Sequence, residues 1–155
     1  MSISGHEQTV ASGRDIAANI APKVCALWSS PLTRCIQTSA NIMASVSVAC
    51  DEVYVNDNLL ERMGRGHICN HRASRGDIVS RWPLFKADAL PDNGPVWTGA
   101  EPATSVRCRM QMLVRHLQQE YAAEDSPVIV VSHHDALLAL TGKSLKNGEY
   151  VVFDG

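Results

Sequence analysis

No apolar run in this chain is long enough to cross a bilayer, so none reads as a membrane-spanning helix. Its first residues, Met1-Ser2-Ile3-Ser4-Gly5-His6-Glu7, lack the charged start and apolar core of a signal peptide, and a cytoplasmic location is expected. Neither sign of charge dominates. Fourteen Lys and Arg against sixteen Asp and Glu give a formal net charge of -2, without the global basic field that attracts nucleic acid. An even, regularly spaced cysteine set is also missing. The five cysteines, at 25, 35, 50, 69 and 108, fit reduced thiols better than a disulfide frame. There is no internal repeat and no low-complexity segment. The 155 residues are enough for one domain, 1–155, with a real core.

What is present is an alternation of short apolar runs with helical patterns. Gly5 to Ile20 reads as a weak helix with Val10, Ala17 and Ile20 on one side. Val24 to Trp28 reads as a strand. Ser30-Pro31 then suggests a helix start, with Ser as N-cap and Pro in the first position, followed by Leu32, Cys35, Ile36, Ala40 and Met43 at helical spacing. A further strand is expected within Val46 to Val55, interrupted at Asp51-Glu52. From Arg62 to about Ala100 the pattern is irregular, a long excursion with a short helix near Val79 to Ala87. Pro102 opens the clearest helix, with Val106, Met110, Leu113, Val114, Leu117 and Tyr121 on one face. Val128-Ile129-Val130-Val131 is apolar without alternation, as for a parallel strand buried on both faces. A short helix from Ala136 to Leu140 stops at Gly142, and after an Asn147-Gly148 turn Tyr150 to Phe153 reads as a last strand. Strands alternating with helices predict an α/β fold with helices on both faces of a sheet.

Chemistry in such a sheet is expected beyond the carboxyl ends of the strands. Two strand-to-helix junctions fall there, Ser29-Ser30-Pro31-Leu32-Thr33-Arg34 and Val131-Ser132-His133-His134-Asp135. Arg34 lies in the first turn of its helix, where unpaired N–H groups and the helix dipole favour an anion and a guanidinium fits two phosphate oxygens. The plainer alternative is an ion pair with a surface carboxylate. A histidine at a strand end, here His133, suits a proton carrier, a phosphate ligand, a metal ligand or a helix cap. His133 and His134 diverge as neighbours, so one of them is expected to face a given site. Asp135 reads as an N-cap. Glu61, after Asn58-Leu59-Leu60, is either a surface residue or a carboxyl group that protonates a leaving oxygen. The excursion carries Arg62, Arg65, Arg72, Arg75 and Arg81, a basic patch suited to a phosphorylated or carboxylated substrate or else a solvated loop. His67, Cys69 and His71 lack a fourth ligand and the usual finger spacing, and no metal is expected.

In order along the chain, these pieces resemble the histidine phosphatase superfamily, which includes cofactor-dependent phosphoglycerate mutases. Ser29-Ser30-Pro31-Leu32-Thr33-Arg34-Cys35-Ile36-Gln37-Thr38 is similar to the family's S-S-P-L-x-R-a-x-Q-T, the most specific match. Gly5-His6-Glu7-Gln8 resembles its L-T-x-x-G-x-x-Q-A helix start, and Leu59-Leu60-Glu61-Arg62 with Gly64 its L-x-E-R-x-x-G. Gly99-Ala100-Glu101 resembles G-E-S, and Val130-Val131-Ser132-His133 with Ala139-Leu140 resembles V-x-H-G-x-x-x-x-x-L.

The resemblance implies a three-layer α/β/α phosphoglycerate mutase-like sheet. It implies phosphomonoester hydrolysis through a phosphohistidine, with no cofactor and no metal. Arg34 would bind the transferred phosphoryl group and His133 would stabilise its charge. Glu61 would be general acid and base, and Arg62 would touch the substrate. The partner would be a phosphorylated small molecule or a phosphoprotein, with no nucleic acid and no membrane; a homodimer is left open.

Three departures stand out. The family's nucleophile, in an R-H-G motif after a central first strand, has no counterpart; Gly5-His6-Glu7 falls in the first helix, so His6 does not fit the role. The expectation is therefore a fold truncated at its N-terminus, with turnover in doubt. His134 replaces a glycine, crowding the pocket or adding a donor to the substrate; in the family's acid-phosphatase branch His134-Asp135 would be the His-Asp pair. Gly64-Arg65-Gly66-His67 replaces G-x-W-E-G. The alternatives are a phosphate-binding pseudoenzyme or interaction module, a mutase-like phosphotransferase, and an unrelated α/β domain.

Overall fold

A computed structural model describes residues 1–48, 53–64, 68–96 and 99–153. Helix α1 (Ile3–Asn19) is capped by Ser2, whose hydroxyl accepts the Gly5 N–H, and it buries Thr9, Gly13 and Ile16. Its inner face lies against α2 (Thr33–Met43), which buries Cys35, Ile36, Ser39 and Ile42. Between them run β1 (Lys23–Val24) and β2 (Ala26–Ser29), so the strand expected over Val24–Trp28 is split at Cys25. β1 pairs in parallel with β3 (Ser47–Val48). β2 pairs in parallel with β4 (Val53–Val55) on one side and with β5 (Val128–Val131) on the other, giving the order β4-β2-β5. The interruption expected at Asp51-Glu52 lies outside the described residues.

The side chains of β2 divide the core into two layers, because successive residues of a strand point to opposite faces. Leu27 joins Val24, Ile36, Ile42, Val53 and Val55 under α1 and α2. Ala26 and Trp28 join Val106, Met110, Leu113 and Leu117 of α4 (Ala103–Glu120) and Ala136 of α5 (His134–Thr141). Helices on both faces of a parallel sheet make the three-layer α/β/α arrangement; among the described residues no strand precedes α1.

Several expectations need correction. The short helix of the excursion is α3 (Arg75–Arg81), started by Ser74, whose hydroxyl accepts the Asp77 N–H; residues 82–87 are not helical. There Phe85 and Ala87 are buried, and Lys86 exchanges backbone bonds with Val53 and Val55, 2.8 and 3.0 Å, extending the sheet past β4. β5 is not covered on both faces. It stands at the sheet edge among the described residues, and Val128, Ile129 and Val130 are only half-buried. Tyr150 to Phe153 forms no strand. A strand is stable only beside another, and this segment instead runs by α1, with the Tyr150 hydroxyl bonded to Asp15 and the Ser12 hydroxyl to the Gly148 carbonyl. The helix stop at Gly142 is there, at φ 72°.

Candidate functional site

Because β2, β4 and β5 are parallel, their carboxyl ends open on one edge of the sheet. Ser30 N–H donates to the Val131 carbonyl (2.9 Å) and Asn56 N–H to the Ser29 carbonyl (3.1 Å), holding the three exits together. The Ser132 hydroxyl, donating to the Leu59 carbonyl at 2.8 Å, ties the β5 exit to the segment that carries Glu61.

At that edge Arg34 and His133 meet. Arg34 Nε lies 3.2 Å from His133 Nδ1. A guanidinium N–H can only donate, so Nδ1 accepts and the proton of the neutral ring sits on Nε2. Nε2 faces the Ser30 hydroxyl at 2.8 Å, with Cys35 Sγ 3.4 Å away. His133 is buried, and burial, then the charges of Arg34 and Arg109, lower its pKa from 6.5 to about 3. The imidazole is thus held uncharged in one tautomer.

Each terminal nitrogen of the Arg34 fork also has one partner. Nη1 donates to the Cys69 carbonyl (2.9 Å) and Nη2 to Asn70 Oδ1 (3.0 Å). Two neutral oxygens thus sit on the two terminal nitrogens of the guanidinium, the fork by which an arginine can take two oxygens of a phosphate. Thr33, Arg34, Gln37, Cys69 and His71 line an open cavity here. Cys35 is no nucleophile in this setting, because burial, opposed by Arg34, pushes its thiol up to about 12. The charge of Glu61 adds a little to that rise, and the Ser132–Leu59 bond carries the Glu61 segment to this edge. One Glu61 oxygen accepts the Arg62 N–H at 2.8 Å.

The structure therefore brings Arg34 and His133 together at one edge, with the segment that carries Glu61 fastened to the β5 exit. Two other candidates are engaged elsewhere. The exposed His134 turns its Nδ1 to the Leu145 carbonyl, 3.0 Å away, and Arg62 Nε donates to the Glu101 carbonyl at 2.9 Å. His6 is exposed on α1. The N-cap of α5 is His133 and not Asp135, which sits in the first turn. The N-cap of α2 is Leu32; the Ser30 hydroxyl accepts the Leu32 N–H at 3.4 Å and also faces His133. Of the arginine patch, Arg72 is a wall residue: it grips both Asp57 oxygens (2.7 and 3.2 Å) and the carbonyls of Ala73, Pro91 and Asn93. Arg75 pairs with Asp92 at 2.7 Å, and Arg65 and His67 lie outside the described residues. Among the described residues no three His, Cys, Asp or Glu side chains gather as a metal site would need, and no helix is long and apolar enough to cross a membrane.

Sequence reasoning missed Ser30 and Asn70 as partners of the pair, and it missed Arg109. The only signal for Arg109 is a cation next to Met110, on the flank of the apolar stripe of α4. Its ion-pair partner Glu101 is eight residues before it, but the backbone carbonyls it also holds lie 48 and 51 residues away, at Glu61 and Asn58, and no local pattern encodes those.

An arginine at a helix start is bonded here to a buried histidine at the end of a parallel strand, on the strand-exit edge of an α/β sheet. The pattern of the histidine phosphatase superfamily (branch 1) matches residues 1–149, and the chain belongs to that family. No curated protein matches it. Among solved structures it is similar to a mycobacterial glucosyl-3-phosphoglycerate phosphatase, at 22% identity over 92% of this chain and 66% of that one, TM-score 0.56. It is also similar to an ecdysone phosphate phosphatase from Bombix mori, solved with tungstate, at 16% identity over 90% and 54%, TM-score 0.57. A third is a mycobacterial hydrolase, at 20% over 88% and 57%, TM-score 0.57. These likenesses establish the fold. The chain spans between about half and two thirds of the length of each structure.

Proposed function

We propose that this chain forms the phosphate-holding part of a phosphomonoester hydrolase of the histidine phosphatase type. The observation that carries the reading is the Arg34–His133 contact at the shared carboxyl end of β2 and β5. A phosphoryl group bound there takes two oxygens into the places now held by the Cys69 carbonyl and Asn70 Oδ1. Its negative charge offsets Arg34, which lifts the proton affinity of His133 and lets the ring donate to a phosphoryl oxygen as charge builds up. Glu61 is the general acid for the leaving oxygen. The branch matched by the chain and the exposure of Asp135 support Glu61 over Asp135 in that role. The substrate is a phosphorylated small molecule or phosphoprotein. The reading uses no metal or cofactor, and a mutase-like transfer would use the same residues.

A second reading is phosphate binding without turnover. It is favoured by one observation: Arg34 and His133 are bonded to each other and to neutral oxygens, and the thiol beside them, Cys35, is buried and raised to about 12, a cluster suited to holding an anion.

Hydrolysis of p-nitrophenyl phosphate by the purified chain in EDTA, with His133→Ala as control, separates the two. Activity that survives EDTA and is lost in the variant supports the hydrolase. Orthovanadate binding without turnover supports the binding module. Arg34→Ala is expected to abolish vanadate binding with the circular dichroism spectrum unchanged, and unaltered affinity would remove Arg34 from the site.

A further inference from the structure

Glu61 lies on a segment with little secondary structure of its own. After the short 3-10 turn at Asp57–Leu59 the backbone runs irregularly through Gly64. A general acid on such a segment needs its backbone held from outside, since a misplacement of about 1 Å can cost about a hundredfold in rate.

The fastening comes from α4 and the residues ahead of it. Arg109 binds the fully buried Glu101 carboxylate through both ends of its fork, Nε to Oε1 at 2.9 Å and Nη2 to Oε2 at 3.0 Å. The remaining donors reach the Glu61 segment: Nη1 to the Asn58 carbonyl at 2.6 Å and Nη2 to the Glu61 carbonyl at 3.3 Å. Glu101 completes the clasp. Its Oε2 accepts the Met63 N–H (3.2 Å), its own N–H donates to the Met63 carbonyl (2.7 Å), and its carbonyl takes Arg62 Nε (2.9 Å). Burial alone would raise the Glu101 carboxyl, but the hydrogen bonds from Arg109 and Met63 and the Arg109 charge outweigh it and hold the group below its ordinary value, so the clasp is ionic. Every residue from Glu61 to Met63, and Asn58 before them, is bonded to this pair. The Arg109 charge also reaches His133.

We propose that the buried Glu101–Arg109 pair is the positioning element of the site, fixing the backbone from Asn58 to Met63 so that Glu61 stands at the leaving-group side of the Arg34–His133 pair. The proposal rests on the assignment of Glu61 as general acid. A buried ion pair is weak grounds for stability, because well-packed apolar residues often replace one at no loss. Holding a segment that has no ladder of its own gives this pair a different task.

The test compares the full chain with Arg109→Lys, which keeps the charge and loses the fork, and with a double variant, Glu101→Leu with Arg109→Met, which removes the pair without leaving a lone buried charge. Phenyl phosphate has a poor leaving group and needs the acid; p-nitrophenyl phosphate needs it far less. Both variants are expected to lower turnover of phenyl phosphate about tenfold more than that of p-nitrophenyl phosphate, with vanadate affinity kept. Equal losses on the two substrates, together with weaker vanadate binding, would overturn the proposal and leave the pair a structural role. Absence of turnover in the unaltered chain would count against the hydrolase reading. The positioning claim is then read by carbon-13 NMR titration of the Glu61 carboxyl: a shifted midpoint in Arg109→Lys upholds it, and an unmoved one overturns it.

Discussion

Arg34 shows how a residue's neighbours determine what it can do. A free arginine at a helix start would be an open anion receptor, but here three of its five N–H donors are taken, one on each nitrogen, by His133, Cys69 and Asn70. An incoming phosphate competes with neutral oxygens that cost little to displace because a charged acceptor binds a guanidinium about twice as strongly. Asn70 is itself held, with Nδ2 donating to the Arg62 carbonyl at 3.4 Å. Asn70→Ala removes one competitor and is expected to tighten orthovanadate binding by roughly fivefold, the equivalent of one ordinary hydrogen bond. Calorimetric titration checks this. Weaker binding would mean that Asn70 belongs to the cage around the anion.

At the scale of elements, the site depends on helices being pressed closely to the sheet. α1 can approach α2 because Gly13 has no side chain: a Cβ there would lie 3.0 Å from the Ile42 Cα, in backbone that cannot yield. Gly13→Val is expected to destabilise the chain by about 2 kcal/mol, since overpacking outweighs any gain in helix propensity. The midpoint of urea unfolding measures it, and an unchanged midpoint would mean the two helices separate freely. The last segment makes the converse point. Tyr150-Val151-Val152-Phe153 has the composition of a strand, yet without a neighbouring strand it stays irregular, with Val152 and Phe153 exposed.

For the molecule as a whole, the buried histidine writes itself into the pH dependence of stability. The folded chain holds His133 at about 3, whereas an unfolded chain protonates it near 6.5. Between those values the unfolded state binds more protons, so stability rises with pH. The contribution is intact above 6.5 and is lost as pH falls toward 3. Glu101, also depressed, adds its own loss only below its ordinary 4.5. From pH 6.5 to 5 the His133 share is therefore distinct, about 2 kcal/mol in all. His133→Gln should flatten the stability profile over that interval, as read by chemical denaturation at several pH values. A slope that persists in the variant would place the titrating group elsewhere.

Local chemistry made the three-layer class, most of the helices and two of the candidate residues legible in the sequence. Helical periodicity marks α4 through Val106, Met110, Leu113 and Leu117, and the apolar run 128–131 marks β5, because both signals are written in adjacent residues. Arg34 and His133 stood out for the same reason, each following its own strand. What the sequence did not determine were the relations between distant segments. That Ser30 meets a histidine 103 residues away, that Cys69 and Asn70 cover Arg34, and that Arg109 clasps the Glu61 segment depend on contacts across the sheet edge. The same holds for strand edges. Four apolar residues in a row promise a buried strand, but burial belongs to the sheet, and only the strand order β4-β2-β5 left Val128, Ile129 and Val130 half in the open.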